Sequence, residues 1–183
     1  WHGLLDIEAR SRRRYLDLMM NPESRRVALL RAGVISRLRQ LFQERGFVEV
    51  ETPVLLAEAG GALARPFVTH HNALDLTMYL RIATELHLKR LVVGGVERVF
   101  EIGRIFRNEG IDSTHNPEFT MLESYQALAD YRDVLVMVEE MVADVAIATT
   151  GSARIQDQNR PLYLTPPYRQ ARMVDLVAEA VGE

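Results

Sequence analysis

The chain contains no cysteine, which excludes disulfide bonds and zinc sites built from thiolates and fits a cytoplasmic protein. It has no apolar run near the roughly 20 residues that span a bilayer, and its N-terminus lacks a signal-peptide pattern, so we predict no membrane association. The net charge of −3 and the isoelectric point near 6.0 give no overall basic surface for nucleic acid. A local basic cluster lies at Arg10, Arg12, Arg13 and Arg14.

The residues that are present suit a folded domain with a sizeable core. The chain has 183 residues, of which 48% are hydrophobic, so it can form one domain or a large part of one. It begins with tryptophan and stops within VAEAVGE, inside a predicted helix. We therefore expect a piece of a longer protein.

Residues 99–125, VFEIGRIFRNEGIDSTHNPEFTMLESY, predict two strands joined by a polar loop at 110–118. Because side chains alternate between the two faces of a strand, Arg107 and Glu109 point the same way. By the same rule, one face of the second strand carries Phe119, Met121, Glu123 and Tyr125. If the strands pair as a hairpin, a cation, carboxylates, a phenol and an aromatic ring converge on one surface.

That combination of side chains suits a nucleotide together with an amino acid. A guanidinium binds a phosphate or a carboxylate through paired hydrogen bonds, a ring stacks on a base, and carboxylates bind an amine. The same pattern also describes a half-exposed antiparallel sheet whose charges are solvated, and spacing alone leaves both interpretations open.

The residues of the hairpin resemble a known family. FRNEG followed by HNPEFTMLE is similar to motif 2, here about residues 99–125, of the class II aminoacyl-tRNA synthetases, and most similar to the lysyl members. The resemblance implies an α+β fold with an antiparallel β-sheet flanked by helices. It also implies that lysine is activated with ATP and Mg²⁺ to lysyl-adenylate and then transferred to tRNA(Lys).

The resemblance assigns the nucleotide to one group of residues. Arg107 would bridge the lysine carboxylate and the α-phosphate of ATP, and would be the catalytic residue. Glu109 would accept a hydrogen bond from the adenine amino group, and Phe119 would stack on adenine. His115 and Asn116 would reach the phosphates or the adenylate, although His115 could equally fix the loop through a hydrogen bond.

A second group is assigned to lysine by the same resemblance. Glu123 and Tyr125 would contact the amines, since an ammonium taken out of water needs a paired anion. RIATELHLKRL places Glu85 near the substrate amine, and GGALARPFVTHHNALD places Gly61 in a loop that closes over the amino acid. Glycine lets a ligand approach that backbone closely.

Residues 21–53 predict a long helix and a short strand. Asn21 and Pro22 begin the helix, apolar residues recur along it every three or four positions, and Gly46 ends it in a left-handed conformation. With GFVEVETP, the segment resembles motif 1, about residues 27–53, which builds the dimer interface of the family. We therefore expect a homodimer through this helix and strand, with Pro53 at the interface.

The remaining segments follow from periodicity and turn residues. We expect a helix over 4–20, a flexible loop over 55–64, strands near 67–69 and 78–83, helices capped by Thr84 and Asp130, a strand near 162–164 and a helix over 173–181. His70 and His71 point to opposite faces of a strand, so we expect no metal site there.

The resemblance also implies a domain organisation. RRRYLDL is similar to the linker before the catalytic domain, so residues 1–20 would be a linker from an absent anticodon-binding domain, and 21–183 the N-terminal part of the catalytic domain. The linker arginines could contact tRNA phosphates or form a solvated helix face. Motif 3 is not found, and the Mg²⁺ ligands are expected in the missing C-terminal part. We therefore expect little or no lysine adenylation by this chain alone.

Two alternatives share the same residues. One is a lysyl-like ligase that acts on a protein or in a lipid-linked pathway, which would use the same HNPEFTMLE chemistry. The other is a non-catalytic dimerising module that keeps the fold. The lysine–tRNA ligase interpretation is favoured because the loop at Gly61, the helix at Glu85 and the hairpin all carry lysyl-type sequence.

Overall fold

The structure is a computed structural model and describes residues 3–157 and 160–182. Its helices are α1 (Ile7–Arg12), α2 (Arg14–Met20), α3 (Pro22–Glu44), α4 (Glu85–Val93), α5 (Tyr131–Thr150) and α6 (Met173–Val181). Its strands are β1 (Val48–Glu49), β2 (Leu55–Leu56), β3 (Val68–His71), β4 (Leu76–Leu80), β5 (Arg98–Phe106), β6 (Glu118–Gln126), β7 (Arg154–Asp157) and β8 (Arg160–Tyr163). One compact unit comprises Arg39–Ala129, and the other comprises the described residues before and after it.

The first unit, Arg39–Ala129, contains two three-stranded sheets. In one sheet the order is β1-β5-β6, where β1 runs parallel to β5 and β5 pairs with β6 in antiparallel fashion. In the other sheet the order is β2-β4-β3, and both pairs are antiparallel. The α+β class is therefore confirmed, and the expected antiparallel sheet carries one parallel edge strand.

The β5–β6 hairpin confirms the pairing expected from the alternation. Ile105 lies opposite Phe119, and Glu101 lies opposite Glu123, so the face that carries Phe119 and Glu123 also carries Glu101 and Ile105. The other face covers apolar core, where Phe100 is fully buried. Burial does not alternate along β5, because Val99 and Ile105 on the first face are fully buried as well.

Three aromatic rings form the centre of this unit. Phe42, near the end of α3, stacks on Phe100 with ring centroids 4.7 Å apart and meets Phe47 edge to face at 5.0 Å. Gly46 connects them with φ of +77°, which confirms the left-handed end of the helix. The rings anchor the hairpin against the end of α3.

The second unit contains the terminal helices and the β7–β8 hairpin. The helix expected over 4–20 is divided at Arg13 into α1 and α2, and Asn21, which ends α2, donates its side-chain amide to the carbonyl of Leu4 and to Asp17. In α5 the expected cap is confirmed: Asp130 accepts from the backbone of its own first turn and forms a capping box. Helix α6 has the expected bounds.

Several expected boundaries differ from the structure. Residues 55–56, expected within a loop, form β2, and the strand expected over 78–83 ends at Leu80. Residues 154–163, expected to hold one short strand, form a two-stranded hairpin. These differences arise where a partner strand, which local periodicity does not reveal, supplies the hydrogen bonds. Among the described residues, no helix is both long and apolar enough to cross a membrane.

Candidate functional site: a nucleotide cavity beside an acidic amine site

Arg107 lies one residue beyond β5, where the hairpin opens into its loop. Its backbone N–H donates to the carbonyl of Pro117 at 2.8 Å, so the pairing of the two strands continues up to this residue. Its guanidinium carbon lies 5.4 Å from the ring centroid of Phe119. Within the described part of the chain, its Nε is buried and has no hydrogen-bond partner. A buried donor without a partner is unfavourable, and an incoming anion would relieve it.

A cavity of about 500 Å³ opens beside Arg107. It is lined by Arg107, Glu109, Gly110, Thr114, His115, Asn116 and Phe119. All five residues that the sequence assigned to the nucleotide therefore line one cavity. A cavity of this size with a few convergent polar groups is typical of a small-molecule site.

The backbone around Glu109 is fixed by the segment that precedes β3. The N–H of Arg65 donates to Glu109 Oε1 at 3.3 Å, and the N–H of Asn108 donates to the carbonyl of Arg65 at 2.8 Å. Both bonds tie the residues after β5 to Arg65, and so they hold this edge of the cavity in place.

His115 has a defined place in the loop. Asp112 Oδ1 accepts from the backbone N–H groups of Thr114 and His115, at 2.7 and 2.8 Å, and His115 Nδ1 lies 2.8 Å from Asp112 Oδ2. The backbone hydrogen bond from Thr114, and next the contact with the His115 ring, lower the pKa of Asp112. The loop-fixing alternative for His115 thus has a geometric basis, and the ring still lines the cavity.

Further along β6, Glu123 is held in one orientation by three donors. Thr84 donates to Glu123 Oε2 through its hydroxyl at 2.7 Å and its N–H at 3.2 Å, and the Tyr125 hydroxyl donates to Oε1 at 2.7 Å. Burial of the phenol, and then its bond to Glu123, raise the pKa of Tyr125 well above its usual value. Tyr125 therefore remains a protonated donor and Glu123 an oriented acceptor.

Glu85 begins α4, directly after Thr84. Gly61 packs against this turn with φ of +90°, and a Cβ built on it would lie 3.2 Å from Ala83 Cβ and 3.3 Å from Glu85 Cβ. A side chain there would be strained and crowded, so the position requires glycine. The loop at Gly61 therefore lies close to the first turn of α4 at Glu85.

The sequence reasoning missed a buried ion pair beneath the same strand face. Arg81 and Glu101 are 3% and 4% exposed, and their side chains approach to 2.5 Å. Arg81 Nε also donates to the carbonyl of Arg104, and Glu101 Oε2 accepts from the hydroxyl of Thr52 at 2.7 Å. The available signal was Gly103, because a glycine inside a strand often marks the close approach of another group.

Pro53 and His70, the remaining residues considered in the sequence, do not line the cavity. Pro53 is exposed, as an interface residue would be in a single chain. His70 is exposed, lies 3.3 Å from Asp75 and is not among the residues that line the cavity. The described ranges contain no group of three or more His, Asp or Glu side chains able to hold a metal ion.

The fold and the polar strand face identify the class of protein. The family model for tRNA synthetases class II (D, K and N) matches residues 6–180, so the chain belongs to that family. Within that family, the chain is similar to curated lysine–tRNA ligases. The lysine–tRNA ligases of Prochlorococcus marinus (strain MIT 9211) and Dehalococcoides mccartyi are 59% and 57% identical to the chain over 182 residues. The alignment covers 100% of this chain and 36% of each of those two relatives.

A third relative has a similar identity and a similar coverage. The lysine–tRNA ligase of Synechococcus sp. (strain CC9311) is 58% identical over 182 residues, which are 100% of this chain and 37% of that protein. The chain thus spans little more than a third of the length of the relatives it matches.

Proposed function

We propose that the chain supplies the lysine-binding and ATP-binding surface of a lysine–tRNA ligase, which activates lysine to lysyl-adenylate and transfers it to tRNA(Lys). The observation that carries the proposal is the buried, unpartnered Nε of Arg107 beside a cavity of about 500 Å³. The identity to lysine–tRNA ligases over the whole chain supports the choice of amino acid.

In the nucleotide half, Arg107 would bind the α-phosphate and the lysine carboxylate together. Its planar guanidinium suits two anionic groups at once, and its attraction grows as negative charge develops at phosphorus. Phe119 would stack on adenine, and Glu109 would accept from the adenine amino group. His115 and Asn116 would contact the phosphates from the loop.

In the amino-acid half, Glu85, Glu123 and Tyr125 would bind the amines of lysine. Glu123 is already oriented by the donors from Thr84 and Tyr125, so its carboxylate does not reorganise when an ammonium arrives. Gly61 would allow the backbone to approach the ligand. Preorganised anions of this kind select a cationic side chain over an apolar one of the same length.

Catalysis would consist of positioning and charge stabilisation. The lysine carboxylate attacks the α-phosphate and pyrophosphate leaves; the terminal ribose hydroxyl of tRNA then attacks the acyl carbon, the acyl–phosphate bond breaks and AMP leaves. Mg²⁺ would neutralise negative charge on the phosphates when bound.

The proposal includes a homodimer in the cytoplasm. Apolar side chains of motif 1 support the dimer, because Val27 and Leu29 of α3 are 50% and 68% exposed and Val48 of β1 is 53% exposed. A dimer interface would cover such apolar side chains, and Pro53 lies at the end of the same sequence segment.

Binding of a non-reactive lysyl-adenylate analogue, measured by calorimetry, tests the site. Arg107→Ala should weaken binding by about 2 kcal/mol, or roughly 30-fold, because a charged hydrogen-bond partner is lost. Arg104→Ala is the matched control, since that side chain lies on the other strand face, is 54% exposed and contacts Glu118. Equal losses in the two variants, or a folded chain that does not bind the analogue, would contradict the proposal.

A further inference from the structure

Lys89 lies on the exposed side of α4, one turn after Glu85. Its Nζ lies 2.5 Å from Glu85 Oε1 and 5.6 Å from the ring centroid of Tyr125. It is also the single lysine of the chain, whereas the other basic residues counted with it are all arginine. The chain therefore carries one primary-amine side chain, and that amine lies beside Glu85 and Tyr125 of the site described above.

The surroundings of Lys89 are those that an ammonium ligand requires. Glu85 and Glu123 supply negative charge, and Tyr125 supplies an aromatic face between them. The charge of Glu85 acts on Tyr125 as well, where it contributes to the raised pKa of the phenol. With one ammonium against two carboxylates, the cluster retains an excess negative charge.

We propose that Lys89 is an internal competitor for the ammonium site, which holds Glu85 until the amine of a ligand displaces it. The proposal rests on the proposed lysine-binding function. In the ligand-free chain the Lys89 ammonium would neutralise Glu85 and cover Tyr125, and on binding it would return to water while the ligand amine takes its place.

Burial explains why the displacement is possible. The side chains of Lys89 and Glu85 are 53% and 32% exposed, so the pair is largely hydrated and its rupture needs little work. Glu123 differs, because three hydrogen bonds fix it and none comes from a cation. A ligand would therefore meet one fixed carboxylate and one that exchanges partners.

The first test compares L-lysine binding to wild type, Lys89→Met and Arg90→Met by calorimetry. Lys89→Met should bind L-lysine about threefold to tenfold more tightly, as expected from the size of an exposed i,i+4 ion pair and a cation–π contact. Arg90→Met removes the same charge from the next position of the helix, and it should stay within about twofold of wild type. Equal gains in the two variants would show a general charge effect and overturn the proposal.

The second test observes Lys89 directly. Because the chain has one lysine, ¹⁵N-lysine labelling gives a single side-chain ammonium signal that needs no assignment. Pairing with Glu85 should slow its hydrogen exchange, and saturating L-lysine should return the signal to the position of a solvated amine. An ammonium that remains paired with Glu85 at saturation would overturn the proposal.

The outcomes separate this inference from the proposed function. If wild type binds L-lysine and Lys89→Met binds it equally, the competitor is refuted and the lysine site stands. If only Lys89→Met binds L-lysine, the competitor is supported. If neither binds, the competitor is refuted, and the adenylate-analogue titration with Arg107→Ala decides the proposed function independently. Thermal melting of each variant confirms that it is folded.

Discussion

Substituting Gly103 by alanine probes the buried ion pair beneath the strand face. A Cβ at this position would lie 2.2 Å from Arg81 Nη2 and 3.1 Å from Glu101 Oε1. Carbon and nitrogen atoms in contact normally sit about 3.5 to 4.0 Å apart. The added methyl group therefore requires the guanidinium to move by more than an ångström.

The guanidinium has no room for such a movement. Arg81 is 3% exposed, with Nη1 2.5 Å from Glu101 Oε1 and 3.1 Å from the carbonyl of Thr52, and its Nε donates to the carbonyl of Arg104 at 2.8 Å. Overpacking of a core costs about 1–3 kcal/mol, and breaking a buried ion pair costs about 3–5 kcal/mol. We expect Gly103→Ala to lower the free energy of unfolding by about 3 kcal/mol.

Urea unfolding followed by circular dichroism measures this loss as a lower midpoint at unchanged slope. Gly110→Ala is the control, because among the described residues no atom beyond its two chain neighbours lies within 4 Å of the added Cβ, and it should change stability by less than about 0.5 kcal/mol. In an Arg81→Met, Glu101→Leu background, Gly103→Ala should cost less than about 1 kcal/mol, since the crowded guanidinium is gone. A Gly103→Ala protein as stable as wild type would refute the reasoning.

Two further predictions concern the unit that holds the terminal helices. Burial alone would raise the pKa of Asp17, but hydrogen bonds from Asn21, Arg10 and Arg14 outweigh it and hold that pKa well below its usual range. The stabilisation by Asp17 is thus present above the unfolded pKa of about 3.9 and is lost as pH falls below it. In thermal melts, Asp17→Asn should be less stable than wild type at pH 7, and its stability should depend less on pH between 5 and 2. A variant with the pH profile of wild type would contradict this. Asp130→Ala removes the α5 cap and should lower the free energy of unfolding by about 1 kcal/mol in urea, whereas a loss below 0.3 kcal/mol would show that the cap is dispensable.

The alternation of side chains between the two faces of a strand made part of the candidate site predictable from sequence. A strand has a side-chain period of two, so the shared face of Phe119, Glu123 and Tyr125 followed from counting residues. Turn chemistry located the loop and therefore the hairpin register. Five of the residues that line the cavity around Arg107 were assigned to the nucleotide by the family resemblance, since four of them lie outside the strands.

The buried pair was not predictable in the same way. Arg81 and Glu101 are 20 positions apart and meet only because Phe106 N–H donates to the carbonyl of Arg81, which brings the end of the β4 segment against β5. The periodicity of apolar residues along a strand does not predict a contact between two sheets. The division of the first helix at Arg13 also escaped prediction, because buried Asp17 organises the turn through side chains rather than through periodicity.

Thr84 and Asp130 show how a local rule fails at a candidate site. Both precede a helix and both were predicted as caps, yet Asp130 caps α5 while Thr84 makes no cap bond and donates to Glu123 instead. The backbone of Thr84 is already helical, with φ of −102° and ψ of −5°, whereas a capping residue has an extended backbone. Thr84 therefore serves the carboxylate of Glu123 rather than the end of α4, which is a departure from the local rule of the kind expected at a functional site.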